Sequence, residues 1–411
     1  MITVQSAESA LKNIYLDVVI NDINTKTNPF LTMIQKGTRT VAGRDIKIPI
    51  RYGDDGNVAA VTEDAELPVS TNSKYTEIQV PLKNIYGTFQ ITDKAIRSSQ
   101  NSAGAFANLL SGEMQNLIAT AQSTLNTMLY GNGMNIVAYT TSIRAVGRTF
   151  RVPMRFVDNI NVGDEITLYG PDNRQITNPA ITIDTFNKNT GEGTYTGTAV
   201  IPNHERLYMV KEGYDVKMNG IDSIFMPNQV YNIDTTKHLG VRPFEQNVFL
   251  GGPNFMPLAS EEAILTFLDR YEDHCQSNPA DIILTHPMVR KALFENLKGT
   301  RSNVDVTEIA GGFKAFSFNG IPLYADVKCQ GGSLYALNSD SWRINQLCDW
   351  TWLSGDDGSI LRQIDGRAAY NATLVKYADL ICEKPFIQGK VSGFSVNRWR
   401  PDQTPSQFLN L

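Results

Sequence analysis

The sequence predicts an α+β fold made of an outward-reaching arm, an extended hairpin, a long helix, a second α/β body and an inserted small all-β domain. Three observations carry that prediction. Residues 1–36 form an arm with one short apolar pattern, the stretch from Val41 to Thr76 alternates like a charged hairpin with almost no core of its own, and Ala103 to Tyr130 is one uninterrupted amphipathic helix. Segments of the first two kinds bury little surface within their own subunit, so neighbours must cover them.

In the arm, Leu11, Ile14, Tyr15 and Val18 lie at helical spacing until Asn28-Pro29-Phe30 breaks the pattern, which makes the arm mostly a tether. The period then becomes two. Ile46, Ile48 and Ile50 alternate with Asp45, Lys47 and Pro49 and run into Gly53-Asp54-Asp55-Gly56-Asn57, a cluster suited to a tight reversal. The return limb from Val58 is polar, and Pro68 prevents full ladder pairing. Ile78, Val80 and Leu82, then Ile85, Gly87, Phe89 and Ile91, resume the alternation as a strand entering a sheet, with a break near Pro81 to Asn84. Beyond it Phe106, Leu109, Leu110, Met114, Leu117, Ile118, Ala121, Leu125, Met128 and Leu129 step by three and four, a rod of about 40 Å that Gly131-Asn132-Gly133 stops.

Residues 149–212 read as the inserted β unit. Short runs such as Glu165 to Tyr169, Ala180 to Phe186, Thr194 to Ile201 and Arg206 to Val210 are separated by turn clusters, including Asn187-Lys188-Asn189-Thr190-Gly191. After Asp222 a second α/β body begins. Ser260 is placed to cap a helix with Glu261 and Glu262 in its first turn and Ile264, Phe267, Leu268 and Tyr271 on one face. Ala280 to Thr285 reads as a buried strand, Pro287 to Leu297 as a helix, and Phe313 to Phe318, Ser333 to Leu337 and Trp342 to Ile344 as further strands. Ala368 to Val375 and Asp379 to Pro385 look like two long strands returning to the first sheet.

A hydrophobic share of 42% with 19% charged residues is ordinary for a chain that folds. Its apolar runs fall far short of the ~20 residues that span a bilayer, and the first residues carry no signal-peptide pattern, so the expectation is a soluble cytoplasmic product. Cys275, Cys329, Cys348 and Cys382 are too far apart for a metal clamp or a disulfide framework. His204, His238, His274 and His286 fall in separate elements, and no nucleophile elbow, zinc-protease or phosphate-loop motif occurs, so no enzyme and no cofactor are expected. Asp54-Asp55-Gly56 and Asp356-Asp357-Gly358 resemble fragments of a calcium loop but lack its distal ligands and read as turns. Gly191-x-Gly193-x-x-x-Gly197 misses the dinucleotide spacing and reads as hairpin chemistry. A net charge of −5 argues against a surface built to grip phosphate backbones.

This succession resembles the major capsid proteins of tailed bacteriophages, whose shell fold encapsulin compartments share. The likeness is carried by Asp281-Ile282-Ile283-Leu284-Thr285-His286-Pro287, by Phe318-Asn319-Gly320-Ile321-Pro322-Leu323 leading to Gly332-Ser333-Leu334-Tyr335-Ala336-Leu337, by Asp340-Ser341-Trp342, and by Ala378-Asp379-Leu380 to Lys384-Pro385-Phe386. The resemblance implies an extended loop over 37–80 and a peripheral domain over 81–148, with Ala103 to Tyr130 as its spine helix. It implies an axial domain over 213–345 and a return to the peripheral domain, with a C-terminal tail, over 346–411. The β unit departs from the minimal pattern and is similar to the accessory insertions of some phage shells.

Implied with it are self-association into pentamers and hexamers, an icosahedral virion shell assembled in host cytoplasm around double-stranded DNA without sequence-specific binding, and portal and decoration proteins as partners. Because the extended loop starts near residue 40 behind Met1, scaffolding is expected as a separate protein. The acidic limb, with Asp54, Asp55, Glu63, Asp64 and Glu66, is expected to dock on basic residues of a neighbour, with Arg97, Arg362 and Arg367 as candidates. Some relatives join a loop lysine to a neighbour's asparagine, and Lys74 and Asn371 occupy comparable regions. A solvated lysine and an ordinary strand asparagine remain the preferred reading of that pair. The rivals to a phage shell are an encapsulin-like compartment, then a tail protein, then an enzyme.

Overall fold

Proline cannot continue a helix begun upstream, but it opens a new one well, because the N–H it lacks is one that a helix start leaves unpaired. The computed structural model shows that use of Pro29. Helix α1 (Leu16–Lys26) stops, Asn28 accepts a hydrogen bond from Phe30 N at 2.9 Å, and α2 (Pro29–Met33) begins. The residues described are 16–37, 41–52, 62, 74–94, 103–170, 174–177, 179–197, 207–211, 213–226, 229–235, 247–250, 261–275, 279–297, 306–309, 313–355, 358–392 and 394.

Within these, residues 16–37 are not a tether. Val19, Ile23 and Phe30 are fully buried, Phe30 meets Trp342 edge-on at 5.8 Å, and Asn28 Nδ2 reaches both Asn126 Oδ1 and Tyr130 Oη at 3.1 Å. Strand β1 (Gln35–Gly37) then pairs in parallel with residues 343–345. The apolar residues are spread over two short helices, so no single helical period announces the packing.

After β2 (Val41–Ala42), strands β3 (Asp45–Tyr52) and β4 (Lys74–Pro81) form the hairpin, with Tyr52 opposite Lys74. The tight reversal expected at 53–57 lies outside the described residues. Nor is the base of the hairpin coreless. Ile46, Ile48, Ile50, Ile78 and Val80 pack with Ile233 and Ile381 in one buried cluster. Alternation gave the apolar face, but its partners lie far away in sequence.

Strand β5 (Lys83–Thr92) alternates buried and exposed positions, and the long helix α3 (Ala103–Leu129) follows, close to the expected limits. Seven strands then build one antiparallel sheet: β6 (Ile136–Tyr139), β7 (Ser142–Arg144), β8 (Thr149–Arg151), β9 (Glu165–Tyr169), β10 (Ile181–Asn187), β11 (Glu192–Thr196) and β12 (Tyr208–Val210), in the order β6-β12-β9-β10-β11-β8-β7. The sheet starts at Ile136 because β6 pairs with β12, so the chain enters and leaves it on adjacent strands. Ile143, Phe150, Val157, Ile166, Leu168, Ile183 and Met209 are among its own buried core. The predicted turn at 187–191 joins β10 to β11. Gly191 there has φ +71°, and a Cβ would lie 2.4 Å from Val152 O.

Past β13 (Gln229–Val230) and β14 (Ile233–Asp234), the chain builds β15 (Asn247–Leu250), α4 (Glu261–Cys275), β16 (Ile282–Thr285), α5 (Pro287–Leu297), β17 (Val306–Ile309), β18 (Phe313–Phe318), β19 (Ile321–Ala325) and β20 (Ser333–Leu337). It returns as β21 (Trp342–Trp352), β22 (Arg362–Gln363) and β23 (Ala369–Cys382), and β24 (Gly389–Ser392) closes the count. Two compact units result, residues 1–245 with 339–385 and residues 246–338 with 386–411.

In the second unit, β15-β24-β20-β16-β19-β18-β17 form a mixed sheet over which Ile264, Phe267, Leu268 and Tyr271 of α4 are buried. Ser260, the expected cap, lies outside the described residues. In the first unit, β23 is central: β21 and β22 pair along one side and β5 along the other, from Lys83↔Ala378 to Thr92↔Ala369. Where two returning strands are predicted, there is one of 14 residues.

Candidate assembly surface and its buried polar frame

The sheet of the first unit offers one candidate surface. On β5, Lys83, Ile85, Phe89 and Ile91 are buried, whereas Asn84, Tyr86, Thr88, Gln90 and Thr92 are exposed. Tyr86, 56% exposed, meets Tyr377 of β23 edge-on at 6.2 Å, and Leu347 of β21 is another large apolar side chain in solvent. Behind the sheet, Leu117 of α3 packs at Gly87, where a Cβ would lie 2.9 Å from Leu117 Cδ1. The long helix backs the surface because β5 has no side chain at that point.

At the end of this sheet β22 turns into β23, with Ile364 N donating to Ala369 O at 2.9 Å and Arg367 N to Ile364 O at 3.1 Å. Arg362 and Arg367 are both exposed, and Arg362 Nη2 donates to Ser354 O at 2.6 Å. Arg362 sits directly opposite Asn371, which also faces Gln90 across the sheet. Three of the predicted residues therefore share one sheet end. Lys74 opens β4 opposite Tyr52, while Asp54, Asp55, Glu63, Asp64, Glu66 and Arg97 lie outside the described residues.

Two buried polar groups hold this sheet, and neither is visible in sequence periodicity. The ladder between β21 and β23 slips between Cys348 and Thr351, so Asp349 and Trp350 fall outside it. A bulge of this kind re-aims side chains. Here Asp349 Oδ1 accepts from Lys376 Nζ at 2.5 Å and from Trp350 N at 2.9 Å. Its Oδ2 accepts from Asn24 Nδ2 at 3.1 Å and Lys36 Nζ at 3.4 Å. Burial raises the Asp349 carboxyl, but the Lys376 ammonium and the hydrogen bonds together outweigh it and leave the group below its ordinary value. Burial pulls Lys376 below its ordinary value, with Asp349 opposing.

Three residues on, Asp379 is fully buried and, among the described residues, has no cation in direct contact. Oδ1 accepts from Asn219 N at 2.7 Å and Leu380 N at 2.9 Å, and Oδ2 from Asn219 Nδ2 at 2.7 Å. Burial pushes its carboxyl up to about 7, against the opposing pull of Asn219, Lys83 and the Leu380 N–H. Lys83 itself, buried on β5, donates to Asp215 O at 2.7 Å and Asp215 Oδ1 at 2.8 Å. Asn219 is held in place by Gly220, where a Cβ would lie 2.2 Å from Met128 O and 2.4 Å from Leu129 O, so the segment passes directly beneath the end of α3.

Of the residues weighed for chemistry, Cys275, Cys329 and Cys382 are buried and form no disulfide, and His286 Nδ1 accepts from Met288 N at 3.2 Å at the start of α5. Among the described residues, no cluster of three His, Cys, Asp or Glu side chains could hold a metal, and no helix is long and apolar enough to cross a membrane.

No protein-family model and no curated protein matches the sequence. Solved structures do match the fold. A chain of the cyanophage A-1(L) capsid asymmetric unit aligns over 89% of this chain and 93% of its own, at 12% identity and a TM-score of 0.53. The capsid of a native GTA particle aligns over 90% of both chains at 9% identity and a TM-score of 0.47, and the holo-SrpI encapsulin of Synechococcus elongatus PCC 7942 over 92% of both at 10% and 0.46. With an alignment that runs through both units and nearly the whole of the cyanophage chain, this protein has the capsid fold of tailed phages.

Proposed function

We propose that the chain is the major capsid protein of a tailed phage or prophage, a structural and not a catalytic subunit. It self-associates into pentamers and hexamers of an icosahedral shell that encloses double-stranded DNA. The observation that carries this reading is the TM-score of 0.53 to a cyanophage capsid chain over nine-tenths of both chains. The arrangement of the first unit supports it: a hairpin whose ends are anchored in a core, a 27-residue helix behind one sheet, and a face of that sheet left to solvent. A curved wall built from one protein needs such overlaps, and obligate interfaces of this type bury about 2,000–5,000 Å².

In this reading, residues 37–80 overlap a neighbouring subunit and 213–345 supply the axial contacts around five-fold and six-fold axes. The acidic 53–73 segment meets Arg362 and Arg367 of the next copy, and the β sheet over 136–210 is an accessory insertion that faces a decoration protein or the solvent. A separate scaffolding protein and a portal complete the assembly in the host cytoplasm.

Negative-stain electron microscopy of the purified chain, alone and with a candidate scaffold, tests the proposal. Closed shells or capsomer rings are expected, with absorbance at 260 nm in particles from infected or induced cells. A stable monomer under every condition would refute it, and closed particles filled with protein and free of nucleic acid would point to an encapsulin-like compartment.

A further inference from the structure

The pair Asn-Gly occurs three times in this chain, at 132–133, 219–220 and 319–320. In this dipeptide the asparagine side chain is readily attacked by the next backbone nitrogen, because glycine has no Cβ to hold the two apart. The fold treats the three pairs differently. Asn219 is 9% exposed and bound twice by Asp379, its N donating to Oδ1 and its Nδ2 to Oδ2, each at 2.7 Å. The space around Gly220 is filled by the carbonyls that end α3. Asn132 forms an isolated bridge with Asn219, its Oδ1 accepts from Met134 N at 3.2 Å, and a Cβ on the buried Gly133 would lie 2.4 Å from Asn219 Oδ1. These two pairs are one knot at the end of the long helix.

Asn319 and Gly320 stand apart. They are the whole two-residue loop between β18 and β19, where Phe318 pairs with Ile321, and both have positive φ, 50° and 80°. That is the left-handed reversal for which Asn-Gly is the preferred sequence. Both residues are exposed, no described residue is hydrogen-bonded to the Asn319 side chain, and nothing lies within 4 Å of where a Gly320 Cβ would be.

We propose that Asn319 is a modification site, at which the side-chain amide converts spontaneously to a carboxylate through a cyclic imide with Gly320, while the fold holds Asn132 and Asn219 unreactive. Gly320 N attacks Asn319 Cγ. As that bond forms, the Cγ–Nδ2 bond breaks, and ammonia leaves with the proton that Gly320 N gives up. Water then opens the ring. Cleavage between Gly320 N and Cγ restores the backbone with an aspartate side chain, and cleavage between Gly320 N and the Asn319 backbone carbonyl carbon leaves isoaspartate, whose backbone runs through Cβ and Cγ. One water enters and one ammonia leaves, so the step needs no oxidant and no cofactor. The ring closes only when Asn319 swings out of its left-handed conformation. An exposed two-residue tip opens at little cost, whereas Asn219 must first leave Asp379 and the end of α3. Either product places a negative charge at the tip, and isoaspartate lengthens the backbone of a loop whose length sets the hairpin register. The inference stands or falls independently of the shell reading.

Peptide mapping by mass spectrometry decides it. The folded, purified full chain is held for days in warm, mildly alkaline buffer, with a zero-time sample to correct for conversion during digestion. Tryptic peptide 315–328, whose only side-chain amide is Asn319, is expected to gain about 1 Da, the difference between water and ammonia. Peptides 218–237 and 98–144 report the other two pairs, with fragment ions that place any added mass. Conversion at Asn319 is expected to outrun both by more than about fivefold, because a loop tip opens far more often than a buried segment. In denaturant the three rates are expected to converge, and fragmentation is expected to show isoaspartate as well as aspartate at 319. A smaller ratio in the folded chain, or faster conversion at Asn132 or Asn219, would overturn the proposal. A ratio that persists in denaturant would overturn the protection assigned to the fold.

Discussion

Asp349 and Asp379 are two carboxylates bound to the same central sheet, one beside a buried lysine and the other held by neutral N–H donors, and they answer burial in opposite ways. Asp349 has Lys376 at 2.5 Å and stays ionised to lower pH than an ordinary carboxyl. Asp379 has three N–H donors and, among the described residues, no cation in contact, and its proton affinity rises to near neutrality. Hydrogen bonds alone do not replace a counter-charge once water is removed. The first site is a fixed ion pair, and the second titrates in the range in which cells operate.

The comparison breaks most sharply at Asp349→Ala. That change leaves Lys376 buried with only Gln346 as a polar partner, and a loss of about 3–5 kcal/mol is expected from the stranding of a buried charge. Denaturant titration checks it, and a loss below about 1 kcal/mol would mean that Lys376 discharges easily without its partner. Asp379 yields the next effect. Its folded-state carboxyl binds a proton up to about 7, whereas the free group does so only to 3.8, so the folded state holds more protons between those values. Stability is therefore highest below the lower value and falls as pH rises through the upper one, by about 2–4 kcal/mol after relaxation of the site. Asp379→Asn is expected to flatten that slope between pH 4 and 7, and an unchanged slope would assign it to another group.

Lys83→Met sharpens the contrast. Its partner Asp215 is half exposed, so the lost pair costs only about 1 kcal/mol. Lys83 also holds Asp379 down, so its removal is expected to move the descending limb of the pH profile to higher pH, a shift readable by thermal melts across a pH series. The smallest effect on the subunit belongs to Arg362→Ala with Arg367→Ala. Both side chains are exposed, and the stability change is expected within about 0.5 kcal/mol. The yield of closed shells should fall in the same variant, and normal assembly would remove these arginines from the proposed contact.

The regular parts of this fold were legible because their residues obey a period. Leu117, Leu125 and Leu129 mark α3, and the alternation of Ile85, Phe89 and Ile91 marks β5. The candidate surface was half legible: Arg362, Arg367 and Asn371 do share a sheet end, but the acidic partner segment and Arg97 lie outside the described residues. The polar frame was not legible. Lys376 and Asp379 interrupt an apolar run, which divides one 14-residue strand into two on the page. Their partners, Asp349 and Asn219, are 27 and 160 residues away, and the bulge that aims Asp349 has no sequence signature. A signal was present all the same. Charged residues inside an otherwise apolar strand run are the ones to suspect of buried pairing.

The pairing of β5 with β23 joins residues 83–92 to residues 369–378. At ribosomal rates of about 5–20 residues per second, the first partner waits roughly 15–60 s for the second to be synthesised. The seven-stranded β unit between them has all its strands within 136–210 and can close as soon as they emerge. Throughout that interval β5 presents an unpaired edge, the kind of template on which nascent chains stick together. Completion of the sheet thus acts as a clock: the surface that we propose for assembly cannot exist on a growing chain and appears only when β23 has been made.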